Sequence, residues 1–270
     1  MTSPNEPLPA ELRRDRILAL LQDQEYVRIA QLADEFGVSL VTIRADLDFL
    51  DEQKLIRRVR GGAGQPSPEP HAEPSFELSL GSSALEKAAI AKVAARLVRS
   101  GESIVIGSGT TTTFVTRALV ARRELSDLVI FTNSLTIAHE LEPVIPRFTV
   151  ILTGGTLHPA QHSLVDPLAG RILEHIHADI VMLSCNGLHP ESGATNINLS
   201  DAEAKQRMLG AANRCILVAD SSKLGRVELA PICGIDDIDL LITGASADPA
   251  QVTALREQGL AIELASDTEP

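Results

Sequence analysis

The feature that most restricts the fold of this sequence is the alternation of short apolar runs with amphipathic segments between residues 86 and 243. Each apolar run has four or five residues, the length of a buried strand, and the segments between the runs repeat apolar residues at helical spacing. Strands that alternate with helices make right-handed crossovers and build a mostly parallel sheet covered on both faces. This part of the chain is therefore predicted to be an open α/β sheet.

The sequence also gives approximate bounds for these elements. The predicted strands are Ser103–Ile106, Leu128–Thr132, Thr149–Leu152, Ile180–Ser184, Ile216–Ala219 and Leu240–Thr243. The predicted helices are Glu86–Val98, Thr112–Val120, Leu135–Leu141, Ala169–Ile176 and Ala202–Ala212. Hydrophobic residues make up 44% of the 270 residues, which is enough for a core and excludes wholesale disorder. No apolar run approaches the ~18 residues of a membrane helix, so no membrane partner is expected.

A proline-rich stretch, Gly61–Ser83, separates the α/β part from a mostly helical block before it. Its prolines lie within nine residues and are Pro66, Pro68, Pro70 and Pro74. Because proline removes a backbone donor and clashes inside a helix, the stretch is predicted to be a linker without a helix or a central strand. The predicted organisation is a small domain at residues 1–63, a linker at 64–85 and an α/β domain at 86–270.

The cysteines and the N-terminus indicate the compartment. Cys185, Cys215 and Cys233 have small or apolar neighbours and no C-x-x-C spacing, so they are predicted to be reduced packing residues. Met1–Ala10 has neither the basic nor the apolar region of a secretory signal. We therefore expect a cytoplasmic protein.

Helical periodicity predicts a first helix at Glu11–Leu21 and a second at Ile29–Phe36. The residues of the first helix that are predicted to face inward are Leu12, Ile17, Leu18 and Leu21, and those predicted to lie outside are Arg13, Arg14 and Arg16. The second helix uses its own apolar residues as core.

A third helix is predicted after Ser39, which is a good N-cap, and Gly37 allows the tight turn before it. Two helices joined by a short turn that contains glycine form the helix-turn-helix, whose second helix fits the DNA major groove. After this helix, Leu55–Val59 is predicted to be a strand and Gly61-Gly62 the turn of a hairpin.

A basic run, Lys54–Arg60, carries four cations and no acid across the predicted hairpin. Beside a helix-turn-helix such a hairpin is a wing that contacts phosphates; the alternative is a three-helix bundle with a basic edge. The net charge of -12 does not exclude DNA, because most of the acidic excess lies after residue 63. The order of the elements favours DNA binding.

Two segments of the small domain, VSLVTIRADL at residues 38–47 and LIRRVRGGA at residues 55–63, resemble the N-terminal signature of the DeoR family of bacterial repressors. Ala45 stands where the family typically has a second arginine, and Arg60 stands where it often has histidine. The resemblance implies that the winged helix-turn-helix binds double-stranded operator DNA. The residues implied as DNA contacts are Ser39, Thr42, Arg44, Arg57, Arg58 and Arg60.

In the α/β part, polar or glycine-rich turns follow three successive predicted strands. They are the loop Ile106–Thr112, the triplet Thr132-Asn133-Ser134 and the triplet Thr153-Gly154-Gly155. The first turn matches neither the Walker A nor the G-x-G-x-x-G pattern, and alone it equally fits a tight structural turn. Because the carboxyl ends of parallel strands face one crevice, the three turns together predict a small-molecule site.

A phosphorylated ligand needs a cation in this acidic domain, and Lys205 and Lys223 are the candidates, although a lysine is most often simply solvated. The α/β part also resembles the sensor domain of the DeoR family, which is related to sugar-phosphate isomerases and binds phosphorylated sugars. The resemblance departs from the family at Gly107, commonly aspartate, and at Asp166, often glycine. The predicted effector-binding residues are Gly109, Thr110, Thr111, Thr132, Asn133, Ser134, Gly154, Gly155, Gly187, Lys205 and Lys223.

Two other classes of function are alternatives to a sensor. A sugar-phosphate isomerase needs a carboxylate base, but no carboxylate follows Gly187 until Glu191, and Glu203 is the remaining substitute. A protein-interaction module leaves the pocket glycines unexplained. No metal or cofactor is predicted, because the histidines lack a compact ligand motif; they are His158, His162, His175 and His177. The sequence thus predicts a non-enzymatic, homo-oligomeric (dimeric or tetrameric) repressor of carbohydrate-metabolism genes.

Overall fold

The structure is a computed structural model that describes residues 8–24, 26–53, 55–59, 61–64, 73–165 and 169–266. It forms two compact units, residues 1–70 and 71–270, which are described separately. The elements of the first unit are α1 Ala10–Asp23, β1 Tyr26–Arg28, α2 Ile29–Phe36, α3 Leu40–Glu52, β2 Arg57–Val59 and β3 Gly62–Gly64. The three short strands form an antiparallel sheet in the order β1-β3-β2.

The helix-turn-helix of the first unit is confirmed, and the predicted bounds of α2 agree with the structure. Gly37, with a φ of 63°, ends α2 in the left-handed region that favours glycine. The Ser39 hydroxyl accepts a hydrogen bond from the Thr42 amide at the start of α3. The hairpin differs slightly from the prediction, because Gly62 already pairs with Val59 in the sheet and only Gly61 lies in the turn.

The prediction for the inward face of α1 was wrong at two positions. Leu12 is 56% exposed, whereas Arg13, predicted to lie outside, is 6% exposed. The reason is Asp46, which lies on the same inward row of α3 as Ile43 and Leu47 and is itself buried. A buried carboxylate needs a cationic partner, so α1 turns Arg13 toward it.

The second unit is built on seven parallel strands in the order β15-β14-β12-β9-β4-β5-β6. Its helices are α4 Phe76–Gly81, α5 Ala84–Arg96, α6 Thr110–Ala121, α7 Leu135–Leu141, α8 Ala169–Leu173, α9 Leu199–Leu209 and α10 Pro249–Glu257. Its strands are β4 Ser103–Ile106, β5 Leu128–Thr132, β6 Phe148–Leu152, β7 Thr156–His158, β8 Ser163–Val165, β9 Ile180–Leu183, β10 Gly187–His189, β11 Gly193–Asn196, β12 Cys215–Val218, β13 Ala230–Cys233, β14 Leu240–Gly244 and β15 Ile262–Ala265. The predicted open α/β sheet is thus confirmed.

The strand order places the sheet's switch point between β4 and β9. From β4 the chain adds strands outward through β5 to β6, and from β9 it adds them in the other direction through β12 and β14 to β15. The two central strands are almost entirely buried, between one core packed around α5, α6 and α7 and another around α8, α9 and α10. The carboxyl ends of β4 and β9 therefore border the crevice where open α/β sheets bind ligands.

The prediction that Gly61–Ser83 contains no helix was wrong, because α4 lies inside it. The prolines end at Pro74, just before the N-cap Ser75, whose hydroxyl accepts from the Leu78 amide. A proline ahead of the N-cap does not interrupt the helix, and Phe76 is 3% exposed.

The sequence also missed β7 with β8 and the antiparallel group β10-β11-β13, whose strands of three or four residues are too short to show a period. Among the described residues, none of the helices has the length and apolar character that crossing a membrane requires.

Candidate functional site

The predicted DNA-contacting residues of α3 lie at its exposed N-terminal end. The Ser39 and Thr42 hydroxyls are 2.8 Å apart, and Ser39 also caps the helix. Arg44, two residues after Thr42, is exposed. Two apolar residues that sequence reasoning did not select share this end: Val41 is 70% exposed and Leu40 is 46% exposed. Exposed apolar groups on a groove-binding helix suit the thymine methyl group.

The predicted wing residues differ from one another in their surroundings. Arg57 is exposed on β2. Arg58 is half-buried: its Nε lies 3.2 Å from Asp48 Oδ1, and its backbone amide donates to Asp51 Oδ1 at 2.9 Å. Arg58 therefore fastens the hairpin to α3, and Arg57 is the more available of the two for a phosphate. Arg60 lies outside the described residues.

Asp46 is a positioning residue that sequence reasoning missed. Its carboxylate is 2% exposed and accepts from Arg13 Nε at 2.5 Å and Arg14 Nε at 3.0 Å. The Arg14 guanidinium also lies 3.8 Å from the centre of the Phe49 ring. This arrangement fixes α3 against α1. The sequence did contain a signal for this ion pair, because Asp46 is a charged residue on the row of α3 that faces the core.

In the second unit, the N-terminus of α6 opens at the end of β4. Its N-cap is Gly109, and no side chain caps the helix. A Cβ on Gly109 would lie 2.1 Å from Ser184 Oγ, so only glycine lets the loops after β4 and β9 approach so closely. The first intrahelical bond is made by the Thr113 amide, which leaves the earlier amides of the first turn for an anion.

The hydroxyls of this first turn have two different uses. The Thr112 hydroxyl donates to the Gly107 and Gly109 carbonyls, and the Thr113 hydroxyl donates to Gly109. In the described part of the chain, no such bond is made by the hydroxyls of Thr110 and Thr111. These two hydroxyls are therefore the ones that a ligand can use.

The triplet after β5, Thr132-Asn133-Ser134, holds the neighbouring loops in place by hydrogen bonds. Asn133 Oδ1 accepts from the Ser108 amide at 2.9 Å, and its Nδ2 donates to the Leu164 carbonyl at 3.1 Å. Thr132 Oγ1 accepts from the Ser134 amide, and Ser134 Oγ caps α7. The polar atoms of this triplet are engaged with the backbone, so it positions the loop after β4.

The glycines predicted for the site lie in two places. Gly154 and Gly155, with φ values of 75° and 125°, form the turn between β6 and β7. Gly187 begins β10, where an added Cβ would lie 2.6 Å from the Arg226 carbonyl oxygen. At this position glycine serves the packing of two backbones.

The two predicted cations lie within electrostatic reach of Cys185, which follows β9. Burial raises the pKa of the Cys185 thiol to about 12, and both Lys205 and Lys223 oppose that rise. Lys205 is 5% exposed, and its Nζ donates to Asn196 Oδ1 at 3.0 Å. Burial lowers the pKa of Lys205, while the nearby Asp201 carboxylate counteracts that effect. A buried ammonium thus lies beside the crevice.

Sequence reasoning also missed a cluster next to Lys205. His158 Nδ1 lies 2.9 Å from Asp201 Oδ2, and His158 Nε2 lies 3.2 Å from Glu73 Oε2. The Ser163 hydroxyl donates to the other oxygen of Asp201 at 2.8 Å. Burial raises the pKa of Glu73. The residues come from distant segments, so spacing in the sequence gave no signal.

Of the two residues that depart from the family pattern, Gly107 and Asp166, the structure describes Gly107. A Cβ on Gly107 would lie 2.8 Å from Leu183 Cδ2, so the place of the usual aspartate is bordered by an apolar side chain. Asp166 lies outside the described residues. Glu203, the alternative base, pairs with Arg207 Nη2 at 2.9 Å, which does not favour an isomerase.

Two surface cavities of the second unit lie away from this edge. One, of about 480 Å³, is lined by the end of α6 and the loop before β6, and includes Arg123 and Arg147. The other, of about 190 Å³, lies between α8 and α9 and includes Arg207. None of the described residues predicted to bind the effector lines either cavity. The prediction of an effector site therefore rests on the donors described above and on their place in the sheet, not on either cavity.

Comparison with known proteins finds two family models that match in this order along the chain. Residues 13–69 match the DeoR-like helix-turn-helix domain, and residues 82–245 match the DeoR C terminal sensor domain. Both halves of the sequence resemblance are confirmed.

Curated proteins of similar length match over nearly the whole chain. The uncharacterized HTH-type transcriptional regulator YulB of Bacillus subtilis is 34% identical, over 91% of this chain and 93% of its own. The HTH-type transcriptional regulator GolR of Listeria innocua is 32% identical, over 94% and 98%. The putative aga operon transcriptional repressor of Escherichia coli O157:H7 is 32% identical, over 94% of each chain. These relatives are named as regulators, not as enzymes.

Proposed function

Because this chain belongs to the DeoR family of transcriptional regulators, we propose that it is a repressor of carbohydrate-metabolism genes whose operator binding is altered by a phosphorylated sugar. Two observations support the effector half: the N-terminus of α6 is uncapped where it follows β4, and the buried Lys205 lies within electrostatic reach of Cys185, which follows β9 at the switch point of the sheet. Relatives named as an operon repressor and as HTH-type regulators support the regulatory half.

On the DNA side, the start of α3 enters the major groove and reads bases. Thr42 and Arg44 supply polar groups there, and Val41 supplies an apolar contact for a thymine methyl. Ser39 keeps its capping role and presents the helix N-terminus to a phosphate. Arg57 on the wing contacts the phosphate backbone, together with Arg60 of the same basic run, while Arg58 holds the wing on α3.

On the effector side, the phosphate group binds the amides of the first turn of α6 and the hydroxyls of Thr110 and Thr111. Lys205 supplies the charge-assisted contact, with Lys223 as the second cation near the same crevice. Gly154 and Gly155 border the site from the turn after β6, which is two strands from β4. Gly107 brings no carboxylate to the part of the site that binds the sugar, and Leu183 lies beside it. That part of the site is therefore more apolar than it would be with an aspartate at position 107.

The regulator acts in the cytoplasm as a homo-oligomer, either a dimer or a tetramer. A single winged helix reads few base pairs, so two-fold pairing on a palindromic operator supplies the affinity and the half-site spacing. Effector binding favours one arrangement of the oligomer and thereby alters the placement of the DNA-binding heads.

The test is binding of the full chain to promoter DNA upstream of its own and neighbouring genes, measured by fluorescence anisotropy with and without a panel of sugar phosphates. We expect specific binding that one phosphorylated sugar changes by at least fivefold. Lys205→Met should abolish the response to the sugar and keep DNA binding, whereas Lys92→Met, a change at an exposed lysine of α5, should keep both. Specific DNA binding that no compound alters would contradict the effector assignment.

A further inference from the structure

One group of metal-ligating side chains in the second unit is not used by the proposed phosphate contacts. Glu73, His158 and Asp201 each present one ligand atom, and these atoms lie within 4.8 Å of one another. We propose that these three residues form a binding site for a divalent transition-metal ion of the zinc class. Its ligands are not among the proposed phosphate-binding residues, although Glu73 and Asp201 lie within electrostatic reach of Lys205.

The donor set determines the class of ion. One imidazole nitrogen with two carboxylate oxygens is a set that zinc accepts, and it leaves a fourth position for water or another oxygen ligand. Magnesium and calcium prefer oxygen ligands throughout, so the imidazole selects against them. Affinity at such a site should follow the order in which Zn²⁺ exceeds Mn²⁺.

The distances in the cluster are compatible with one metal ion that takes the place of the ion pairs. Ligand atoms bound to one tetrahedral zinc ion are roughly 3.4 Å apart when the bonds are about 2.1 Å long. Asp201 Oδ2 lies 2.9 Å from His158 Nδ1, whereas Glu73 Oε2 lies 3.2 Å from His158 Nε2. Because one ion binds only one of these two nitrogens, the carboxylate on the other nitrogen must rotate toward the ion. The three ligand atoms lie within 4.8 Å of one another, so each separation exceeds that edge by at most about 1.4 Å, which side-chain rotations supply.

The surroundings of the cluster are those of an oriented metal site. The side chains of Glu73, His158 and Asp201 are 14%, 19% and 4% exposed, so the ligands are largely shielded from water. Ser163 holds Asp201 by a hydrogen bond, as residues around metal ligands commonly do. The carboxylates of Glu73 and Asp201 lie near one ammonium group, that of Lys205. Lys205 donates its hydrogen bond to Asn196 and not to either carboxylate.

A metal at this site joins three distant segments. Glu73 precedes α4, His158 ends β7, and Asp201 lies in the first turn of α9. The segment around Glu73 already contacts the same region, since the Pro74 carbonyl accepts from Gln161 Nε2 at 2.8 Å. Because an ion that binds only the folded chain adds its binding energy to stability, the metal should stabilise the second unit.

The test uses the untagged full chain, freed of metal by a chelator and titrated with zinc, manganese or magnesium chloride without DNA or sugar phosphate. We expect one zinc ion per chain by calorimetry and elemental analysis, weaker manganese binding, and magnesium binding at least a hundredfold weaker than zinc. At a hundredfold excess over its Kd, zinc should raise the Tm by roughly 5–10 °C. Because neither DNA nor effector is present, failure of the proposed function would leave this result unchanged.

The matched variants are Glu73→Gln and Glu77→Gln. Both glutamates precede or begin α4, and each pairs with a histidine of the β7–β8 hairpin: Glu73 with His158, and Glu77 with His162. We expect Glu73→Gln and His158→Ala each to weaken zinc binding at least tenfold and to remove the rise in Tm, while Glu77→Gln keeps both. Absence of zinc binding, binding that survives in Glu73→Gln and His158→Ala, or equal loss in Glu77→Gln would overturn the proposal and leave an ion-paired cluster only.

Discussion

Among single residues, Asp46 has the largest expected effect on the DNA-binding unit. Asp46→Asn removes the charge that Arg13 needs in a buried position, and breaking a buried pair from one side costs about 3–5 kcal/mol. The free energy of unfolding of the full chain in urea, followed by circular dichroism, measures this loss. Asp48→Asn is the matched control, because Asp48 is 61% exposed and its pair with Arg58 should contribute less than about 1 kcal/mol. Equal stabilities of the two variants would contradict a buried pair.

Arg57 and Arg58 are adjacent in the sequence and should behave differently. Arg57→Ala removes one phosphate contact, so operator affinity should fall for every DNA sequence and the slope of log K against log salt should decrease by about 1. Arg171→Ala, a change at an exposed arginine of the second unit, should leave the slope unchanged. An unaltered slope in Arg57→Ala would remove this residue from the wing contacts.

At the scale of elements, α4 shows how a buried amine from another helix caps a short helix. Lys87 on α5 donates to the carbonyls of Ser79 and Ser82 at the end of α4, at 2.5 Å and 2.6 Å. Burial lowers the pKa of Lys87 from its ordinary value of 10.5 to about 8, although Asp220 and Glu86 favour the charged form. The second unit therefore contains a lysine that releases its proton in an accessible range of pH.

The pH dependence of stability follows from that pKa. Between pH 8 and 10.5 the unfolded chain keeps a proton on Lys87 that the folded chain has released, so this residue's contribution to stability should rise with pH in that window. Below pH 8 both states are protonated and the contribution should be flat. Tm measured against pH for the wild type and Lys87→Met checks this, since the variant should lack the rise. Lys92→Met should keep it, and identical profiles for all three proteins would contradict the assignment.

At the scale of the whole molecule, regulation requires a coupling free energy between the DNA-binding site and the effector site. If a sugar phosphate changes operator affinity by some factor, operator DNA must change the affinity for that sugar phosphate by the same factor. A coupling of about 5–150-fold is typical of such systems. Calorimetric titration of the sugar phosphate into the chain with and without operator DNA measures it. If the factor by which DNA changes the affinity for the sugar phosphate differed from the factor by which the sugar phosphate changes the affinity for DNA, the two ligands would not be coupled through one conformational equilibrium of the protein.

The local sequence was sufficient for the kind, order and approximate bounds of the longer elements. The ranges predicted for α2, β5 and α7 agree with the structure, because the period of the apolar residues and the capping residues are properties of neighbouring positions. Elements of three or four residues, such as β7 and β10, have too few positions to show a period. The helix α4 was missed because prolines that lie before its N-cap were taken to extend their effect past it.

What the sequence by itself determined is therefore a winged helix-turn-helix followed by an open α/β sheet, while the loops predicted to bind an anion stay a prediction. Only the tertiary structure decided the strand order that puts the switch point between β4 and β9. It also decided that Arg13 faces Asp46 and that Glu73 and Asp201 meet at His158. The reason is that such pairs form where buried charges need partners, and those partners come from segments far apart in the chain. A pairing of this kind produces no periodic pattern in the sequence around either residue.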